Sequence, residues 1–156
     1  MADSVSFVLL PQNARVIKKL IGLENRTKQG IRQGMFDSGH ALIESAGTEI
    51  LRRPKSGRTY IIRDKLGRRR KHIASAPGET HANLTGAARK SLSFQLKGTT
   101  ELEYGYGVSS SKTAPDYVEK LEETRPSLQN SIKDKQAVMV QHIERQISRQ
   151  FDLDIK

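Results

Sequence analysis

The sequence predicts an α+β fold, a twisted antiparallel sheet packed against a long N-terminal helix and a C-terminal helix, with a projecting basic β-hairpin. Three observations predict it. Apolar residues recur at helical spacing from about Thr27 to Arg52 and again from Ser127 to Phe151. Between these stretches Leu92, Phe94 and Leu96, then Leu102, Tyr104, Tyr106 and Val108, alternate with polar residues, which is the period of strands with one buried face. Ahead of them, a run dense in Arg and Lys brackets Asp64-Lys65-Leu66-Gly67, a composition suited to a turn.

The first of these elements has a prelude. Val5 to Leu10 reads as a short strand with Val5, Phe7 and Leu9 on one face, stopped by Pro11. Asn13 can cap a short helix over Ala14–Leu23, whose stripe of Val16, Ile17, Leu20 and Ile21 lies opposite Arg15, Lys18 and Lys19. Gly22 weakens its end, so a second, longer helix is expected from Thr27 to Arg52, ended by Pro54. Its buried side is read as Ile31, Met35, Leu42, Ile43, Ala46, Ile50 and Leu51. Gly30, Gly34, Gly39 and Gly47 within it each cost about 1 kcal/mol relative to Ala. Close backbone packing is the functional reading of that cost, against a neighbouring subunit among other surfaces, and a merely weak helix is the bland one.

Thr59 to Ile62 and Arg69 to Ser75 form the arms of the hairpin, which occupies about residues 57–75. Ser75-Ala76-Pro77-Gly78 places Pro and Gly at the centre of a type II turn. Thr85 caps a short helix to Lys90, and the alternating strands follow, joined near Gly98. After a polar loop from Ser109 to Pro115, a short acidic helix runs to Glu123. Pro126 separates it from the last helix, whose expected buried stripe is Ile132, Met139, Ile143, Ile147 and Phe151.

The bulk numbers bound what such a chain can be. Its 156 residues suit a single domain, 1–156, burying roughly 70 % of its unfolded surface. With 35 % hydrophobic and 5 % aromatic residues, the core must be mainly Ile, Leu, Val and Ala. No apolar run approaches the roughly 20 residues that span a bilayer, and Met1-Ala2-Asp3-Ser4 lacks the basic and apolar features of a secretory signal, so cytoplasmic folding without a membrane is expected. The absence of Cys excludes disulfides, thiolate metal sites and thiol catalysis.

Charge is the most informative number. Between Arg52 and Lys71 stand ten basic residues, Arg52, Arg53, Lys55, Arg58, Arg63, Lys65, Arg68, Arg69, Arg70 and Lys71, against Asp64 alone, a local balance of +9. The remaining 17 basic and 16 acidic residues give +1 of the total +10. Charge so concentrated faces a polyanion, and nucleic acid is the usual one; the bland reading is a solvated loop or one that pairs with an acidic protein.

Catalytic patterns are missing. His40, His72, His81 and His142 have no partner at a metal-ligand spacing, so no metal is expected. Glu101 and Glu103 share a strand face without a second acidic cluster to form a hydrolase pair. Pro77-Gly78-Glu79-Thr80 lacks the glycine and Lys pattern of a phosphate loop, and the serines from Ser109 to Ser111 have no base at a motif spacing. No catalytic residue, cofactor or enzymatic activity is expected.

Three blocks in order carry a resemblance. They are Arg53-Pro54-Lys55-Ser56-Gly57-Arg58-Thr59-Tyr60 after a long helix; Ser75-Ala76-Pro77-Gly78-Glu79, Ala82, Thr85-Gly86, Arg89 and Ser91; and Tyr117, Leu121-Glu122 and Arg125-Pro126 with Leu128 before the C-terminal helix. Together they resemble the tail-completion or neck (head-tail joining) proteins of long-tailed bacteriophages, over roughly residues 12–151. His81 stands where that family usually has Pro, and Ala88 where it favours Leu. The resemblance implies a non-enzymatic structural subunit of the virion neck or tail, assembled in the host cytoplasm. It further implies a homo-oligomeric ring around the DNA passage, sixfold in preference to twelvefold, with portal-side, neck and tail-tube proteins as neighbours. Within it Lys65, Arg68, Arg69, Arg70 and Lys71 are expected to face packaged DNA without reading sequence, or to dock on acidic protein. Glu119, Glu122, Glu123 and Arg125 are expected to form a charged partner contact. The competing class is a sequence-independent nucleic-acid-binding protein, for which Tyr60 is the one aromatic residue in the basic run.

Overall fold

The computed structural model describes residues 11–82 and 85–152. The strand expected over Val5–Leu10 lies outside them. The first element is one helix, α1, Pro11–Arg52, of 42 residues. At 1.5 Å per residue it is about 63 Å long. The expected break at Gly22 is absent: a lone glycine costs about 1 kcal/mol in a helix, which the favourable residues on either side outweigh. Pro11 is its first described residue, and the helix already includes Asn13. Asn13 therefore lies within the helix and is not its cap.

After α1 come two strands, β1 (Thr59–Arg63) and β2 (Arg69–Ile73), then a short helix α2 (Ala87–Ser91) running directly into β3 (Leu92–Lys97) and β4 (Glu101–Tyr106). Two helices complete the described residues, α3 (Val118–Thr124) and α4 (Leu128–Asp152). The architecture is α+β, and its antiparallel pairing is divided between two separate two-stranded ladders, β1–β2 and β3–β4. The turn foreseen at Pro77-Gly78 separates them; Gly78 has φ +83 and the Glu79 amide donates back to the Ala76 carbonyl at 3.2 Å.

The β3–β4 register pairs Leu92 with Tyr106, Phe94 with Tyr104 and Leu96 with Leu102, so the alternating apolar residues share one face. That face lies on α1: Leu92 joins Ala46 and Ile50 in the core, with Ile43, Tyr104, Tyr106 and Leu128 packed around them. The Tyr104 hydroxyl donates to the Leu42 carbonyl at 3.2 Å and bonds Ser131 at 3.1 Å. Burial carries the Tyr104 phenol up to about 12, so it remains a donor throughout the ordinary pH range.

α1 and α4 pack antiparallel at close range. A Cβ at Gly30 would lie 2.7 Å from the Ile147 Cα, and one at Gly34 only 2.5 Å from the Ile143 Cα. These glycines serve an approach of helix to helix inside the chain rather than a neighbouring subunit. Ser38 continues the seam, donating to the Gly34 carbonyl at 2.7 Å.

Two expected core positions are exposed. Leu51 sits at the last turn of α1, and Ile132 is 45 % exposed, while its neighbour Ser131 is fully buried. The α4 face is rotated by one residue at its start because Ser127 and Ser131 satisfy the hydroxyls of Tyr106 and Tyr104, a demand that apolar periodicity does not register. The stripe of Val16, Ile17, Leu20 and Ile21 is exposed as well.

Candidate functional site

The basic run is organised by strand register. β1 and β2 pair Thr59 with Ile73, Tyr60 with His72, Ile61 with Lys71, Ile62 with Arg70 and Arg63 with Arg69. Side chains of directly opposed residues share a face, and faces alternate along the strand. One face therefore carries Arg63, Arg69 and Lys71, interleaved with Ile61 and Ile73. The other carries Arg70, Tyr60, Ile62 and His72.

Asp64 divides the cations between these faces. Its carboxylate accepts the amides of Leu66 and Arg68, each at 2.9 Å, fixing the turn, whose Gly67 has φ +74. It also takes ion pairs from Arg68 at 2.8 Å and Arg70 at 3.4 Å. The Arg68 amide is the main cause that holds this carboxyl below its ordinary range. Arg68 and Arg70 are thus partly neutralised. Arg63, Lys65, Arg69 and Lys71 make no ion pair among the described residues, and Arg63 directly opposes Arg69, an arrangement that opposes strand pairing. Of the five cations expected at this site, the structure groups Arg69 with Lys71, joins Arg68 to Arg70 through Asp64, and leaves Lys65 in the turn. Arg63 is the member that sequence reasoning missed as a site residue. The turn composition at residues 64–67 carries the signal, because the loop closes with the Asp64 amide on the Arg68 carbonyl at 2.9 Å, which sets Arg63 opposite Arg69.

The base of the hairpin is anchored by residues of ordinary appearance. Glu79 accepts the Ser56 hydroxyl at 2.5 Å, the Ala76 amide at 2.9 Å and the Ser56 amide at 3.1 Å. The Ser56 hydroxyl does most to draw the Glu79 carboxyl down to about 2. Gly57 and Ala74 extend the ladder by one backbone bond beyond β1 and β2. Lys55 donates to the Thr80 carbonyl at 2.6 Å, and its partial burial lowers its pKa. Arg53 pairs with Glu49 at 2.7 Å and with Asp134 at 3.4 Å. Two of the ten basic residues therefore serve the hairpin's footing.

The expected acidic contact surface is split too. Glu119 and Glu123 are exposed on α3. Glu122 is turned inward: its carboxylate accepts the amides of Ser127 at 3.0 Å and Leu128 at 3.1 Å, the Ser127 hydroxyl, and the Tyr106 hydroxyl at 2.9 Å. It caps the first turn of α4, where a negative charge also suits the helix dipole. His81, 2 % exposed, joins this network through the Tyr106 hydroxyl at 2.7 Å. Burial depresses its pKa and raises that of Tyr106. Arg125 reaches across to the Ser75 carbonyl at 3.3 Å. Between α3 and the hairpin's base lies an open, largely apolar cavity of about 410 Å³, bordered by His72, His81, Leu121 and Arg125.

Comparison with models of protein families, with curated protein sequences and with solved structures gives no match. What the arrangement does chemically is therefore read from its own groups. Among the described residues no cluster of three His, Cys, Asp or Glu side chains is placed to hold a metal ion, and no helix is long and apolar enough to cross a membrane. The exposed cations can neutralise phosphates or carboxylates presented to the hairpin. Tyr60 is 47 % exposed on the opposite face from Arg63 and Arg69, so no aromatic ring is interleaved with them for base stacking.

Proposed function

We propose that this chain is a ring-forming structural subunit of a tailed-phage neck whose basic hairpin faces the DNA passage. The resemblance of its three sequence blocks to tail-completion proteins supplies the class. The observation that carries the site is the hairpin face with Arg63, Arg69 and Lys71, where like charges oppose each other and no carboxylate among the described residues answers them. Such a face is stabilised by an external polyanion and strained without one.

Assembly is supported by apolar side chains left exposed along α1 and the hairpin, Val16, Leu20, Ile21 and Ile61 each more than half exposed. A long helix and sparsely covered hairpin suit a subunit whose faces are covered by neighbours, copies of itself and adjacent neck or tail proteins among them.

A second reading, docking of the same hairpin on an acidic protein of the neck, is favoured by Ile61 and Ile73, which are 58 % and 40 % exposed among the cations. Apolar groups beside charges suit a protein surface better than a phosphate backbone. A free, sequence-independent nucleic-acid-binding protein would use the same cations without the ring.

Binding of duplex DNA of unrelated sequences is expected to be equal and to weaken steeply with salt. Arg63→Ser, Arg69→Ser and Lys71→Ser combined should lower the slope of log K against log salt by about 2.7, at about 0.9 for each phosphate no longer neutralised. An unchanged slope would remove DNA from the proposal. In complementation, the triple variant should give joined particles that retain DNA poorly; heads and tails that fail to join would select the docking reading. A neck reconstruction containing one copy of the chain would refute the ring.

A further inference from the structure

The face of α1 that meets α4 continues beyond the last described turn of its partner. Val16, Leu20, Leu23, Thr27, Gly30 and Gly34 are spaced by four, three, four, three and four residues, the repeat of a helix–helix seam. Gly30 and Gly34 lie against Ile147 and Ile143. The same antiparallel register brings Phe151, at the end of α4, level with about Arg26. Beyond that point Val16, Leu20 and Leu23 are 56 %, 58 % and 44 % exposed, and Ile17 and Ile21 beside them are exposed too.

Charge selects among possible occupants. Residues 15–23, which bear the exposed stripe, carry Arg15, Lys18 and Lys19 and no acidic residue, and the next carboxylate, Glu24, is already paired with Lys28 at 2.5 Å. A second copy laid along this segment would bring the same excess of positive charge onto itself. We infer that the overhanging half of α1 is a docking surface for an amphipathic α-helix of another protein, apolar along its seam and acidic along its flanks. The occupant is a helix because the surface prolongs an existing helix–helix seam in the same heptad phase, and it is acidic because the rim is basic. This inference stands independently of the neck assignment and of the hairpin.

The test uses the full chain and two dye-labelled synthetic 21-residue helical peptides with Leu at the seam positions, one flanked by Glu and the other by Lys. Fluorescence anisotropy is expected to show saturable binding of the Glu-flanked peptide only. Leu20→Ser with Leu23→Ser should weaken it at least tenfold at an unchanged melting temperature, because both residues are solvent-facing. Arg63→Ser, Arg69→Ser and Lys71→Ser should leave it intact, which separates this surface from the hairpin. Equal binding of the Lys-flanked peptide, or unchanged binding by the Leu20/Leu23 variant, would overturn the inference. So would three findings for other occupants: self-association in sedimentation that the Leu20/Leu23 variant abolishes, binding of phosphatidylglycerol vesicles that the same variant abolishes, or peptide binding that arises only after removal of residues 1–10.

Discussion

Two alanine substitutions in one helix should move stability in opposite directions. In Gly34→Ala the added methyl would lie 2.5 Å from the Ile143 Cα and 2.9 Å from its amide nitrogen, whereas favourable van der Waals separation begins about an ångström further out. Both obstacles are backbone, so α1 and α4 must separate or tilt along the seam that also holds Gly30. Overpacking of this kind costs about 1–3 kcal/mol, occasionally more, and the helix propensity of Ala returns about 1 kcal/mol. With rigid backbone as the neighbour, we expect a net loss of about 1–2 kcal/mol and a fall in Tm of about 2–8 °C. In Gly47→Ala the methyl meets only the Arg89 side chain, at 3.8 Å, an ordinary contact. That variant should gain up to about 1 kcal/mol and melt about 2–4 °C higher. Circular dichroism at 222 nm during a thermal ramp reads both. A Gly34→Ala protein that melts as high as Gly47→Ala would refute the close approach of α1 to α4.

Charge reversal on α3 should distinguish the inward carboxylate from the outward ones. Glu122→Lys removes the cap of α4 and leaves the Ser127 and Leu128 amides without it, at about 1.5–3 kcal/mol for a charged hydrogen-bond acceptor, while Glu119→Lys and Glu123→Lys should stay within about 0.5 kcal/mol of the parent. Urea unfolding checks this, and a Glu122→Lys protein as stable as the other two would contradict the capping role. Tests of the expected acidic contact surface therefore belong at Glu119 and Glu123. His81 sets a pH dependence: burial holds its pKa below the ordinary 6.5, so the unfolded chain binds the proton first and stability falls as pH drops below about 6.5. The urea midpoint should decline from pH 7.5 to 5.5 in the parent and much less in His81→Gln, and a parent midpoint that is flat or rising over that range would exclude the assignment.

Much of the local structure is legible in the sequence because it rests on neighbours within four residues. The helical repeats of α1 and α4, the alternation that builds β3 and β4, the Pro77-Gly78 turn and the turn at Asp64 are of this kind. So is the concentration of positive charge between Arg52 and Lys71. What the hairpin does with that charge is less local. The run of three arginines reads as one cluster, yet strand alternation sends Arg69 to one face and leaves Arg68 and Arg70 with Asp64, and Arg63 arrives from the other strand.

Tertiary structure alone decided which residues are covered and which charges are satisfied. Gly30 and Gly34 read as costs until Ile147 and Ile143, more than a hundred positions away, supply the backbone they admit. Ser131 takes the core position that apolar periodicity assigns to Ile132, because Tyr104, 27 residues away, needs a hydroxyl partner there. Glu122 looks like part of an acidic surface until the amides of α4 turn it inward. The Val16–Leu23 stripe has the pattern of a buried face and remains exposed, since no described turn of α4 lies at its height. Periodicity records that a face is apolar, whereas burial requires a second element at that height, and that element's reach is set by contacts remote in sequence.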